Sequence, residues 1–364
     1  MVEARLTVVA ASRLTANTGC RRGRHRLAVA ALSLAVIACA GGSGTTRVVI
    51  PPGATFRVAA DSLHRAGVIG STRLFRFYAS IRGHDRRIRA GTYVMSRSMS
   101  WPEVVSALTQ GTGLIHSITV PEGYSIADIA SLLARTLGVA EDSVLAAARD
   151  STTRERLDVP TTTLEGYLFP DTYSFPDGTT GRAAVEAMVR RFEQVWQPEW
   201  NAKAEQLALS RHDILTLASI VEKEAKLPAE RPVIAAVYLN RLRTGMRLQA
   251  DPTVQYALGR HSARLYYKDL RVDSPYNTYE HAGLPPGPIA SPGRASIIAA
   301  LEPAAVPYRY FVAHPDGHHE FHVDYQSHER AVAAVRRERE AAARNSPQVP
   351  NVSRTMPGLR PRRR

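Results

Sequence analysis

Residues 214–227 read Ile-Leu-Thr-Leu-Ala-Ser-Ile-Val-Glu-Lys-Glu-Ala-Lys-Leu. Ile214, Leu217, Ala218, Val221 and Ala225 recur at the 3.6-residue period, which predicts a mostly apolar helix ending in a charged turn. At 100° per residue Glu224 falls beside Leu217, Ile220 and Val221 and borders the buried stripe, while Glu222 falls beside Leu215 and Ala218 on the opposite margin. A carboxylate at the edge of an apolar surface loses hydration, and its pKa rises toward neutrality, where it can donate a proton. The same three residues also fit a solvated Glu-Lys-Glu surface turn, so the flanking sequence must separate the readings.

Downstream, Arg231-Pro232-Val233 opens a second helix running through Arg243, and Gly245-Met246-Arg247-Leu248-Gln249-Ala250-Asp251-Pro252-Thr253-Val254 follows. Asp251, preceding a proline, is expected in an extended or turn conformation. Ser274-Pro275-Tyr276-Asn277-Thr278-Tyr279 and Gly283-Leu284-Pro285-Pro286-Gly287-Pro288-Ile289-Ala290-Ser291-Pro292-Gly293 read as long, proline-stiffened loops suited to a preorganised polar cleft. His314, His318, His319, His322 and His328 suggest a metal cluster, but Asp316-Gly317 is a hairpin signal between alternating strands, so no metal site is expected. An Arg/Glu/Ala-rich helix is expected from 327 to 345, then a disordered basic tail over 346–364.

Upstream, residues 164–176 pack Tyr167, Phe169, Tyr173 and Phe175 between prolines, which fits either a core strand or a platform on which sugars stack. A helix over 182–200 carries Trp196 and Trp200. Farther back lies an internal repeat at an offset of seventy residues. Val49-Ile50-Pro51-Pro52-Gly53 with Phe56, Ala60 and Leu63 matches Thr119-Val120-Pro121-Glu122-Gly123 with Ile126, Ala130 and Leu133, each copy reading as strand, Pro-x-Gly turn and amphipathic helix. Between the copies, 90–95 reads as a strand and 101–108 as a helix. Arg21, Arg22, Arg24 and Arg26 precede an apolar run from Leu27 to Ala40, the pattern of an export signal or short membrane anchor. Val36-Ile37-Ala38-Cys39 resembles a lipoprotein cleavage box, so a lipid on Cys39 competes with a single-pass span. Either places everything after residue 45 outside the cytoplasm and excludes nucleic acid as partner.

The 364 residues, 44% hydrophobic and 22% charged, fit a folded chain of about two domains with tails. The net charge of +14 points to an anionic partner, yet only four lysines occur, an arginine skew that GC-rich coding also produces. Both cysteines, Cys20 and Cys39, precede the folded body, which excludes an internal disulfide, a zinc ribbon and a thiol nucleophile there.

The blocks Ala218–Glu224, Asn240-Arg241-Leu242 with Gly245–Gln249, Asp251–Val254, Tyr276–Tyr279 and Gly283–Gly287, in this order and spacing, resemble the endolytic murein transglycosylases, and the likeness extends from about residue 48 to 335. The resemblance implies an α+β fold: a small LysM-like α/β module (46–140) after the export signal or anchor (1–45), an aromatic connecting segment (141–200), and a mixed helix and strand catalytic domain (201–345). It implies a lyase at the bacterial inner membrane, its body outside the cytoplasm, that cleaves nascent peptidoglycan internally and limits glycan length. Glu224 maps onto the family's catalytic glutamate. Where the family often carries a hydroxyl residue next, this chain has Ala225, so another group must position the acid. Gln249, Asp251, Tyr276, Asn277, Thr278 and Tyr279 are the expected substrate-binding residues, with Glu222 and Asn240 in support. No cofactor is expected: pyridoxal phosphate chemistry needs a buried lysine, and the lysines lie in polar stretches. Cell-wall synthesis proteins are candidate partners. The competing function is a non-catalytic peptidoglycan-binding scaffold.

Overall fold

The Pro-x-Gly repeat predicts two strand–turn–helix units, and both form. In the first, β1 (Thr45–Ile50) turns at Gly53 into α1 (Phe56–Arg65); in the second, β3 (Leu114–Thr119) turns at Gly123 into α4 (Ile126–Leu137). Gly53 and Gly123 hold φ values of 72° and 76°, a left-handed conformation that favours glycine in each turn. Phe56, Ala60 and Leu63 are buried, as are their counterparts Ile126, Ala130 and Leu133. This computed structural model describes residues 44–83, 88–259 and 265–345. The export segment with both cysteines, and the basic tail, lie outside the described residues.

Between the two units run α2 (Thr72–Ile81), β2 (Gly91–Ser96) and α3 (Trp101–Gln110). After α4 come α5 (Glu141–Ala147), α6 (Ser151–Arg156), β4 (Thr172–Pro176), α7 (Gly181–Val195) and α8 (Pro198–Gln206). The four strands form one antiparallel sheet in the order β1-β2-β3-β4. Alternate residues turn inward along it: Val48 and Ile50, Tyr93 and Met95, Tyr173 and Phe175. The rest is mainly helical: α9 (Arg211–Glu224), α10 (Arg231–Arg243), α11 (Asp251–Ala257), α12 (Arg294–Leu301), a hairpin of β5 (Tyr310–Ala313) and β6 (His319–His322), and α13 (Tyr325–Asn345). The fold is α+β, as expected.

Among the described residues the buried apolar side chains form two cores, which part between Leu114 and Ile118. One packs α1, α2 and α3 on the β1–β2 half of the sheet; the other runs from Ile118 to Leu301 and takes in β4 and the helices α4 to α10 and α12 that contribute buried side chains. Every buried apolar side chain among the described residues falls between Val48 and Val335. The aromatic stretch is part of the second core: Tyr167, Phe169, Tyr173 and Phe175 are all buried, which decides between the two readings in favour of core packing. Gly166, at φ 82°, brings that stretch against the proline loop, where a Cβ would lie 2.5 Å from Pro288.

Three local expectations need correction. The helix over 182–200 is two helices, because Pro198 cannot donate a backbone hydrogen bond and starts a new first turn; Trp196 and Trp200 meet edge-on across the break, 5.4 Å apart. Asp251 is not in a turn but is the first residue of α11, with Ala250 in extended conformation before it; a proline in the first turn removes an N–H that has no helical partner anyway. The helix expected to reach Leu227 ends at Glu224, where Ala225 turns to φ −67°, ψ 116°.

Candidate active site

Helix α9 starts at a capping box: the Ser210 hydroxyl accepts from the Asp213 amide, and the Asp213 carboxylate accepts from the Ser210 amide. Beyond it, every residue from Ile214 to Val221 is buried, because α8, α10, α11 and α12 pack around the helix. The expected stripe is therefore a fully enclosed rod, tolerable because Thr216 and Ser219 return their hydroxyls to carbonyls one turn back. Only the last turn emerges, and it carries the two glutamates.

Their surroundings differ. The Glu222 carboxylate is almost enclosed and accepts from the Gly293 amide (3.1 Å), the Ser296 hydroxyl (2.7 Å) and Arg231 (3.4 Å). Gly293 is the N-cap of α12, so Glu222 bonds the positive end of that helix and ties it to α9. Among the described residues Glu224 has a single hydrogen bond, from the Tyr238 hydroxyl to Oε1 at 3.0 Å. Burial pushes its pKa up to about 7; the nearby Asp251 carboxylate adds to the rise, while the Tyr238 bond, Lys226 and Arg241 oppose it. Its place at the C-terminal end of α9, the negative end of the helix dipole, also disfavours its charged form.

Helix α10 supplies what faces Glu224. Tyr238 and Arg241 stand three residues apart on one side of it, both buried. Tyr238 packs edge-on against Phe311 of the hairpin at 5.9 Å, which fixes its ring, and burial raises its pKa far out of the physiological range, so it remains a donor. Arg241 donates to the carbonyls of Arg309 and Leu248, both at 2.6 Å, and lies 5.4 Å over the Tyr310 ring. Across from them, Tyr279 donates to Asp251 Oδ1 at 2.6 Å, an arrangement that keeps the phenol protonated.

The structure divides the expected site residues by role. Glu224, Asp251 and Tyr279 come together with Tyr238 and Arg241. Gln249 lies next to Asp251 with an exposed side chain and φ 49°, and its amide donates to the Thr278 carbonyl at 3.1 Å. Asn277 and Thr278 present no surface to a ligand, being 0% and 1% exposed. Asn277 donates to the carbonyls of Leu270 and Val272 and accepts from the Tyr279 amide, while Thr278 accepts from the Ala250 amide and bonds Thr253. These two residues build the loop that aims Tyr279 rather than touch substrate. Tyr276 faces elsewhere, packed against Tyr256 with ring centres 4.8 Å apart. Asn240 holds the carbonyls of Val306 and Tyr308, fastening the approach to the hairpin onto α10.

Two functional-looking residues escaped sequence reading. Tyr238 supplies the hydroxyl that Ala225 lacks, and because it stands on another helix the local sequence around Glu224 carries no signal of it. Glu165 is buried beside a cavity of about 310 Å³ lined also by Ser125, Arg149 and Tyr256. It accepts from the Ile126 amide at 3.1 Å and the Tyr256 hydroxyl at 3.3 Å, and burial pushes its pKa up to about 8. Nothing in its local sequence marks it. On the hairpin, His319 bonds Glu230 at 2.6 Å, and no group of three or more potential metal ligands occurs among the described residues.

The profile of the YceG-like family matches residues 48–334, a span that contains the cap, both glutamates and the Tyr238–Glu224 contact. The chain belongs to the YceG-like family. An endolytic murein transglycosylase of Bacillus subtilis is 37% identical over 303 residues, covering 79% of this chain and 84% of that protein. An endolytic murein transglycosylase of Streptococcus pneumoniae is 30% identical over 317 residues, covering 78% of this chain and 57% of the relative. A crystallised YceG-like protein from Listeria monocytogenes superposes with a TM-score of 0.58 at 33% identity, covering 79% of this chain and 98% of the other. The resemblance read from the five sequence blocks thus stands. Among the described residues of this YceG-like chain no helix is long and apolar enough to cross a membrane; the run Leu27–Ala40 lies outside them.

Proposed function

We propose that the protein is a peptidoglycan lytic transglycosylase in which Glu224 is the single acid–base catalyst. The observation that carries this reading is a desolvated carboxyl with a pKa of about 7, held through one oxygen by Tyr238 and leaving the other for substrate. The names of its relatives support the substrate class.

Glu224, protonated, gives its proton to the oxygen of the MurNAc–GlcNAc β-1,4 bond as the C1–O bond breaks. The C6 hydroxyl of the same MurNAc attacks C1, and its proton passes to the Glu224 carboxylate. A 1,6-anhydroMurNAc end and a free GlcNAc 4-hydroxyl result, the catalyst is restored and no water is consumed. A hydrolase uses a second carboxyl group to activate water or attack the sugar. Here Asp251 is bonded to Tyr279 and raises the Glu224 pKa by its charge, while Tyr238 opposes that rise and keeps the group able to act in both directions. Gln249, Asp251 and Tyr279 meet sugar hydroxyls in this reading, which the Tyr279–Asp251 bond and the exposed Gln249 side chain support. The enzyme works outside the cytoplasm on nascent strands, cutting internally and shortening glycans, held at the membrane by its N-terminal segment beside cell-wall synthesis proteins.

Glu224→Gln keeps the shape and the Tyr238 contact but cannot donate a catalytic proton. Purified protein digested against peptidoglycan and read by mass spectrometry gives anhydro-ended fragments, each lighter by one water than a hydrolysis product. With Glu224→Gln these ends fall at least about a hundredfold. Anhydro ends persisting in that variant, or their absence with the unchanged protein, which would leave a glycan-binding scaffold, defeats the reading.

A further inference from the structure

We propose that helix α2 docks on the surface of an anionic phospholipid bilayer, a contact independent of any chemistry at Glu224. The inner face of α2 is fixed: Phe75 and Ala79 are fully buried, and Phe75 stacks on Phe56 at 5.6 Å and meets Trp101 edge-on at 5.9 Å. The Ser71 hydroxyl caps the helix by accepting from the Leu74 amide. Its outer face is apolar. Leu74, Phe77 and Ile81 are 60%, 66% and 68% exposed, and their spacing of three and four residues sets them in one stripe.

Beside that stripe Arg57, Arg73 and Arg76 line a shallow groove of about 620 Å³ with Phe77 and Ser80. None of the three arginines has a hydrogen bond or ion pair among the described residues. From residue 45 to 83 the chain carries six arginines and one aspartate, with no lysine or glutamate. An apolar stripe with unpaired guanidinium groups along one margin is the pattern of a helix lying in a membrane interface, side chains among the acyl chains and cations at the lipid phosphates. A glycan partner fits less well, because two of the three side chains in the stripe, Leu74 and Ile81, offer no ring on which sugars stack and none of the three can form a hydrogen bond. The position in the chain agrees: the apolar run Leu27–Ala40 ends five residues before β1, a stretch that spans at most about 18 Å.

The test uses the chain from Gly44 onward, which carries every buried apolar side chain among the described residues and lacks the apolar N-terminal run. Co-sedimentation is measured with phosphatidylcholine vesicles with and without phosphatidylglycerol, and with isolated glycan strands. The protein binds the phosphatidylglycerol vesicles preferentially, and added salt weakens the binding. Arg73→Gln with Arg76→Gln lowers that affinity about thirtyfold, at roughly fivefold per arginine near the surface. Phe77→Ser with Ile81→Ser lowers it at least about tenfold. Arg73, Phe77 and Ile81 are exposed and Arg76 is half-buried without a hydrogen bond among the described residues, so the melting temperature stays unchanged and shows that the variants fold. Equal binding to both kinds of vesicle, or affinity unaltered in both double variants, overturns the proposal. So does loss of affinity for glycan strands alone, which assigns the face to wall polymer, or loss of self-association in sedimentation, which assigns it to a second copy of the chain.

Discussion

Glu222 and Glu224 stand two residues apart on one helix and do opposite work because of what meets each carboxyl. Three donors hold Glu222, while Glu224 has one phenol and a desolvated setting. Tyr238 bonds the charged form of Glu224, so removing its hydroxyl raises the Glu224 pKa further. Tyr238→Phe therefore moves the alkaline limb of the pH profile upward, since the acid stays protonated to higher pH, and lowers the maximal rate about tenfold, as expected for one hydrogen bond to a charged group. An unmoved limb would mean that the phenol only packs. Helical periodicity sets Glu224 against Leu217, Ile220 and Val221, but it took the family resemblance to single it out from Glu222. Its partner was not legible, because Tyr238 comes from another helix fourteen residues on, and an approach between helices leaves no mark in local spacing. Asn277 and Thr278 misled for the related reason that polar loop residues look exposed until their bonds to backbone are seen.

At the scale of elements, α9 is anchored by its neighbours, and Glu222 is the principal polar tie. It joins α9 to the start of α12 through Gly293 and Ser296 and meets Arg231 at the start of α10. Nearby, Lys223 donates to the Gly123 carbonyl, and Gly123 and Tyr124 exchange backbone bonds with Ser291, so the turn of the second repeat is stitched to the proline loop. Glu222→Ala leaves the Gly293 amide and the Ser296 hydroxyl without their acceptor and Arg231 without its nearer carboxylate, and costs about 3 kcal/mol in chemical denaturation. Glu222→Gln keeps an acceptor for Ser296 and costs roughly 1 kcal/mol. Equal losses in the two variants would show that packing, not the carboxylate, carries the joint. The repeat could be read directly, since strand, Pro-x-Gly turn and apolar period are all local signals. The break at Pro198 and the helical Asp251 were misjudged because a proline reads alike as an interruption and as a first-turn residue; only packing on both sides decides.

Across the whole molecule the sheet is continuous while the apolar cores are two, and Glu165 sits where the second repeat joins the helical body. Its carboxyl bonds the start of α4 through the Ile126 amide and α11 through Tyr256, spanning 39 and 91 residues of chain. Contacts over such separations leave no mark in local spacing, so the division of the buried apolar side chains into two cores between Leu114 and Ile118 could not be read from the sequence. Burial raises the Glu165 pKa from 4.5 to about 8, so between these values the folded chain keeps a proton that the unfolded chain has released. The stability this confers is fully present below about pH 4.5 and is lost as pH rises through 8, at a slope approaching 1.4 kcal/mol per pH unit. Glu224 contributes in the same direction, ending near pH 7. Glu165→Gln keeps an acceptor for the Ile126 amide but cannot ionise. Its denaturation midpoint, followed from pH 5.5 to 8.5, falls less steeply than that of the unchanged protein, with the difference in slope greatest between pH 5.5 and 7 and fading above pH 8. Parallel curves across that range would show that the Glu165 carboxyl ionises as readily in the folded chain as in the unfolded one, and that the junction is held by packing alone.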